Sequence, residues 1–212
     1  MRTEDAYRTI EKRSEGLFRD RGSKFLAFAF PVSSTKEIKS IQERLRKEYH
    51  DARHHCYAYR LGAAKNEVRA NDDGEPSNSA GKPILGQIQA YDLSNVLVIV
   101  IRYFGGTLLG VGGLINAYRS AAAEALKKAT IIDAVETDLI EISYTYPLTN
   151  AIKKIIDDEK MTVKEQNFTD TCMMVSEVRK SRTIHVLELV NKLTGAKAEL
   201  KDPIPDSSPS PG

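Results

Sequence analysis

Asp72, Asp73 and Glu75 put three carboxylates into four positions of a Gly/Pro-rich stretch, NDDGEPSNSAGKPI at 71–84. Like charges that close repel unless a cation or a basic group sits among them. The cluster is therefore raw material for a divalent cation site, or for an acidic turn whose Asp side chains cap their own backbone. The D-x-[DN]-x-[DN]-G spacing of an EF-hand is missing. Three of the four histidines gather upstream, in His50-Asp51-Ala52-Arg53-His54-His55. Imidazoles beside a carboxylate suit a metal site or an acid/base pair. The HExxH pattern is absent, because Asp51 follows His50 where a helix is ending. A hydrogen-bonding role for His54 and His55 fits the pattern better, and no resident metal or cofactor is expected.

The other unusual stretch is RYFGGTLLGVGGLINAY at 102–118, where Gly105, Gly106, Gly110, Gly112 and Gly113 concentrate five of the 13 glycines. Glycine costs roughly 0.5–1 kcal/mol against alanine in regular structure, so such a cluster marks backbone geometry or close approach that other residues cannot provide. A strand, a glycine turn and a helix start make an anion-binding corner when free amides and the helix dipole face one space. The spacing fits neither a Walker loop nor the Rossmann fingerprint, so close packing of the turn against another element stands equally open. No nucleophile announces itself: Ser77 and Ser79 lack the G-x-S-x-G elbow, and Cys56 has only histidine neighbours to activate it.

Several elements must position these residues. Val96–Ile101 is an unbroken β-branched and leucine run, as in a strand covered on both faces, and a helix is expected from Leu114 to about Lys128. Strand-like pieces lie around residues 7–10, 16–19 and 24–30. Ser34 with Glu37 forms a capping-box signature for a helix bearing Ile38, Ile41 and Leu45 to about Tyr49. Cys56–Leu61 resumes a strand, 62–83 reads as one long irregular loop, and Pro83 starts a short helix. From Thr137 the order is β-α-β-β-α-β, with Ser181 capping a last helix that carries Ile184, Leu187, Val190 and Leu193. The segment 202–212 holds four of the eight prolines and reads as a flexible tail.

Composition narrows the function classes. With 41% hydrophobic and 28% charged residues the chain is an ordinary globular sequence. It has no apolar run near the ~20 residues of a membrane helix and no signal-peptide core, which points to a cytoplasmic protein without membrane partners. Cys56 and Cys172 are expected as buried thiols in different domains. A net charge of +2 is too small for a protein that coats nucleic acid, while leaving room for a local basic patch.

Five motifs in order, SKFLA at 23–27, DARHHC at 51–56, DDGEP at 72–76, AGKPIL at 80–85 and RYFGGTLLGVGGLINAY at 102–118, strongly resemble the Impact/YigZ family. The resemblance implies an α+β chain with an N-terminal domain over 1–132 like domain two of small-subunit ribosomal protein five. It implies a C-terminal ferredoxin-like domain over 137–200, similar to one in elongation factor G. The sequence departs from the family pattern at Asn71, which replaces a common serine, and at Ser77-Asn78-Ser79, which replaces Ala-Gly-Thr. Asparagine at position 78 is the best substitute for a glycine at positive φ.

Eukaryotic members of that family are translation regulators, so the resemblance implies a non-enzymatic regulator that binds RNA, the ribosome or a translation factor. Residues 171–178 lack the stacking aromatics of an RRM. RNA contacts would fall instead to Arg44, Arg46, Lys47, Arg53 and Arg102. The alternative is an enzyme or binding protein for a phosphorylated small molecule or nucleotide. There Asp72, Asp73 or Glu75 holds a divalent cation, and amides near Gly110–Gly113 take the phosphate. Under either reading the glycine turn, the acidic loop, His54, His55 and Arg102 are expected to form one binding site.

Overall fold

The computed structural model describes residues 4–168 and 171–201. They form two compact units, one of Ala6–Ala134 and one of the described residues of 1–5 and 135–212. The architecture is mixed α and β throughout.

In the first unit the chain order is β1 (Ala6–Ile10), β2 (Ser14–Asp20), β3 (Ser23–Pro31), α1 (Thr35–Glu48), β4 (His54–Leu61), β5 (Glu67–Asn71), α2 (Gly81–Ala90), β6 (Val96–Tyr103), α3 (Gly110–Lys128) and β7 (Ile131–Val135). Five strands make one sheet in the order β2-β3-β6-β4-β5, and β1 pairs with β7. Every neighbour in the five-stranded sheet is antiparallel. Strand β6 sits at its centre, and period-2 alternation divides its side chains between two cores. Val96, Val98 and Val100 pack with α2 and α3, while Leu97, Ile99 and Ile101 pack with α1. Two covered faces explain why Val96–Ile101 is apolar at every position.

Ser34 caps α1, its Oγ accepting from the Glu37 amide at 3.3 Å, while Glu37 accepts from the Ser33 amide at 2.8 Å. Helix α3 begins at Gly110, four residues before the first apolar residue of its buried face, so the glycine-rich segment itself supplies the first helical turn. The stretch 62–83 is not wholly irregular. Its middle forms β5, which pairs antiparallel with β4. Glu67–Asn71 is an edge strand whose first four residues are exposed, so it lacks the apolar alternation that reveals strands from sequence.

In the second unit β8 (Thr137–Tyr144), α4 (Thr149–Asp158), β9 (Thr162–Phe168), β10 (Cys172–Arg179), α5 (Thr183–Asn191) and β11 (Ala196–Lys201) follow the split βαβ plan. The antiparallel sheet order is β11-β8-β10-β9. Ile140, Ile142, Tyr144, Ile152, Val186 and Val190 form its core. Ser181 does not cap α5. It lies in a preceding 3-10 turn and donates from Oγ to Asp5 Oδ2 at 2.6 Å. Thr183 starts the helix and faces inward, donating to Asp138 Oδ2 at 2.7 Å. That rotation leaves Ile184 75% exposed and gives the buried stripe to Val186 and Val190. Cys56 and Cys172 are free and buried. The expected tail at 202–212 lies outside the described residues. No described helix is long and apolar enough to cross a membrane.

Candidate binding site

Arg102 continues the β6 alternation past Val100, so its side chain points to the α3 side of the sheet with only 8% of its surface exposed. A buried guanidinium needs a partner. Glu75, 4% exposed, supplies it: Nη1 donates to both carboxylate oxygens, at 2.8 and 3.0 Å. Tyr118, on the buried face of α3, donates to Glu75 Oε1 at 2.7 Å. The Arg102 guanidinium also lies 5.6 Å from the ring centroids of both Phe25 and Phe104. Cys56 adds its thiol, which lies 3.3 Å from the Tyr118 hydroxyl and 3.0 Å from the Asp72 carbonyl. Burial pushes the Cys56 thiol and the Tyr118 phenol well above their ordinary values, so both remain protonated donors. This thiol is a structural hydrogen-bonding group rather than a nucleophile.

The other two carboxylates are equally engaged. Asp72 Oδ1 accepts from the Ala80 and Gly81 amides at 2.9 and 2.8 Å, and Oδ2 accepts from the Asn78 amide at 2.8 Å. It thereby closes the loop onto the start of α2, whose N-cap residue Ala80 has no capping side chain. Asp73 Oδ2 accepts from the His55 amide at 2.6 Å, and Oδ1 from Arg46 on α1 at 2.7 Å. Burial raises the Asp73 carboxyl, but the hydrogen bonds from Arg46 and the His55 amide, with the charge of Arg46, bring it below its ordinary value. His54 donates from Nδ1 to the Asp73 carbonyl at 2.9 Å, which fixes its tautomer. The partner that three crowded carboxylates require is thus the protein itself: Arg46, Arg102, Tyr118 and backbone amides. A divalent cation at these oxygens would compete with those donors. Among the described residues no group of three His, Cys, Asp or Glu side chains is placed to hold a metal.

The glycine turn is built for close approach at one end and stands open at the other. A Cβ on Gly105 would lie 1.9 Å from the Gly22 carbonyl carbon, so the β2–β3 turn and this loop touch backbone to backbone. Gly106 and Gly110 have φ of 87° and 70°, the left-handed region. Gly113 sits over Leu109, whereas a Cβ on Gly112 would meet nothing. Near these glycines the loop exposes apolar side chains: Phe104 is 58%, Leu108 80% and Val111 53% exposed. Phe104 and Leu108 join Asp51, Arg53, His54 and Tyr103 along a groove of about 460 Å³, with Arg102 at its wall. Tyr103 donates to Asp51 at 2.8 Å.

Residues 21–126, which contain every part of this site, match the model of the Impact N-terminal domain. This chain belongs to the Impact family. The IMPACT family member YvyE of Bacillus subtilis is 28% identical over 197 residues, covering 93% of this chain and 91% of that protein. The family member YigZ of Escherichia coli is 38% identical over 110 residues, 51% of this chain and 54% of its own. A solved structure described only as that of a hypothetical protein shares the fold at TM-score 0.67 and 23% identity, over 92% of this chain and 96% of that one. At Asn78, where this chain departs from the family pattern, the backbone has φ of 63°, a region that asparagine tolerates better than other non-glycine residues.

Of the residues singled out in the sequence, Asp72, Asp73, Glu75, His54, His55 and Arg102 come together, and Gly105 and Gly106 border the same end of the sheet. Gly110, Gly112 and Gly113 start α3 and are not among the residues lining the groove. Arg46 and Arg102, read from sequence as RNA-facing, pair with Asp73 and Glu75; Arg102 is buried, and Arg46 stays half-exposed at the surface. Arg44 lies over the Phe30 ring, its guanidinium carbon 5.7 Å from the centroid. Sequence reasoning missed the Tyr118 hydroxyl, the one polar group on an alanine-rich helix face. It also missed Phe104 and Leu108, whose signal was apolar bulk inside a glycine turn.

Proposed function

We propose that this protein is a translation-linked regulator that acts by binding rather than by catalysis, and that its first unit binds single-stranded RNA, on the ribosome or free, along the Arg53–Phe104–Leu108 groove. The observation that carries the reading is the division of labour at the site. The carboxylates face inward onto protein donors, while an aromatic ring, a leucine and a cationic arginine face outward. Exposed aromatics with neighbouring arginine suit unstacked bases and a phosphate backbone. Family membership supports the link to translation.

Ribosome co-sedimentation and RNA binding by fluorescence anisotropy across a salt series test the proposal. Binding that weakens as salt rises, and that Arg53→Ala and Phe104→Ala each reduce, is the expected result. No association at low salt removes it.

A further inference from the structure

His55 and Gln42 line a small cavity between α1 and the sheet. Its wall is Gln42, Leu45 and Arg46 of α1, His55 and Tyr57 of β4, and Ile99 of β6, and its volume is about 10 Å³. Three buried polar atoms around it, Gln42 Nε2, His55 Nδ1 and His55 Nε2, find no hydrogen-bond partner among the described residues. His55 is only 6% exposed. An unpartnered buried polar group costs about 1–3 kcal/mol, so Gln42 Nε2 and a His55 ring nitrogen at one void favour a bound group there. A volume of about one probe sphere admits one water and nothing larger, and a buried water characteristically has two to four polar partners.

We propose that this cavity is a specific site for one ordered water, which bridges Gln42 Nε2 and a His55 ring nitrogen and makes His55 the proton-sensitive support of the acidic loop. The amide NH2 of Gln42 only donates, so the water accepts from it and donates one of its own protons to the unprotonated imidazole nitrogen. The second ring nitrogen, Nδ1, stands 4.0 Å from Asp73 Oδ2. That oxygen already accepts from the His55 amide, so the water site, the imidazole and the loop carboxylate are linked in series.

The groups facing the imidazole decide what a second proton does. Burial and the Arg46 cation oppose it; Asp73 and the Tyr49 carbonyl favour it, and His54 opposes it weakly. The balance holds the imidazole neutral at pH 7. Protonation removes the lone pair that the water uses and sets a new cation beside Arg46, which holds Asp73 from the other side. Acid therefore loosens the α1 side of the loop while the buried Glu75 cluster still holds the other.

The test uses the full chain. A crystal structure at a resolution that shows ordered solvent is expected to place one water within hydrogen-bond distance of Gln42 Nε2 and a His55 nitrogen. NMR titration of the His55 ring is expected to give a midpoint below the ordinary histidine value of 6.5. Asp73 and Gly74 amide shifts should move with the same midpoint. Gln42→Leu, which removes the water's donor and with it the hydrogen bond to the neutral ring, should raise the His55 midpoint. A dry cavity, a His55 midpoint at or above 6.5, or an unmoved midpoint in Gln42→Leu would each overturn the proposal. Should Gln42→Leu fail to fold, the crystal structure and the wild-type titration still decide it.

Discussion

The acidic loop and the glycine turn lie at the same end of one sheet, and both are rich in residues that sequence reading associates with ligands. They use those residues in opposite directions. In the acidic loop Asp72, Asp73 and Glu75 all point into the protein, each with its own set of donors. In the glycine turn Gly105, Gly106 and Gly110 serve the backbone, and the nearby side chains of Phe104 and Leu108 point outward. A cluster of chemically capable residues thus shows that a segment is constrained. Burial shows whether the constraint serves the fold or a partner.

This contrast predicts large stability effects in the acidic loop and small ones on the exposed turn. Glu75→Ala should be the most damaging, because it strands a buried guanidinium and a buried phenol; a loss of about 3–5 kcal/mol in urea unfolding is expected. A loss below about 1 kcal/mol would mean that the pair is more hydrated than its burial indicates. Gly105→Ala belongs to the turn yet should behave like the core, costing about 1–3 kcal/mol or more, since its Cβ must displace the Gly22 backbone.

Acid should expose the acidic loop in two stages. His55 is held below the ordinary histidine value of 6.5, chiefly by burial, so the unfolded chain binds its proton first. Stability is then complete above about 6.5 and falls as pH drops toward the lowered folded value. Asp73 is lowered from 3.8, so its contribution is present above that value and fades as pH falls through its folded pKa. Denaturation curves from pH 7.5 to 3 should show both declines, and His55→Gln should remove the first alone.

Phe104→Ala and Leu108→Ala should give the smallest change in unfolding free energy, within about 0.5 kcal/mol, because both side chains are already in water. Their effect should appear in RNA affinity, with a loss of about 1–3 kcal/mol if Phe104 stacks on a base. If both variants unfold early and bind normally, the outward and inward assignments are reversed.

Much of the frame was legible from residue patterns. The apolar run at Val96–Ile101 announced a strand covered on both faces, Ser34 with Glu37 announced the start of α1, and the β-α-β-β-α-β order was visible after Thr137. Edge strand β5 was not legible, because a strand half open to water carries no apolar alternation. The start of α5 was missed for a related reason: Thr183 faces inward through a hydrogen bond to Asp138, which apolar periodicity does not register.

At the site, the sequence by itself determined that three carboxylates in four positions needed neutralising and that five clustered glycines served the backbone. Those conclusions follow from charge repulsion and from the missing Cβ, which are local properties. Only the tertiary structure decided that Arg46, from α1, and Arg102, from the end of β6, would do the neutralising. They lie 27 residues to either side of their partners, and folding of the sheet brings them within hydrogen-bond range. It likewise decided that Phe104 and Leu108 stay exposed, because a side chain's access to water depends on what the rest of the chain lays over it.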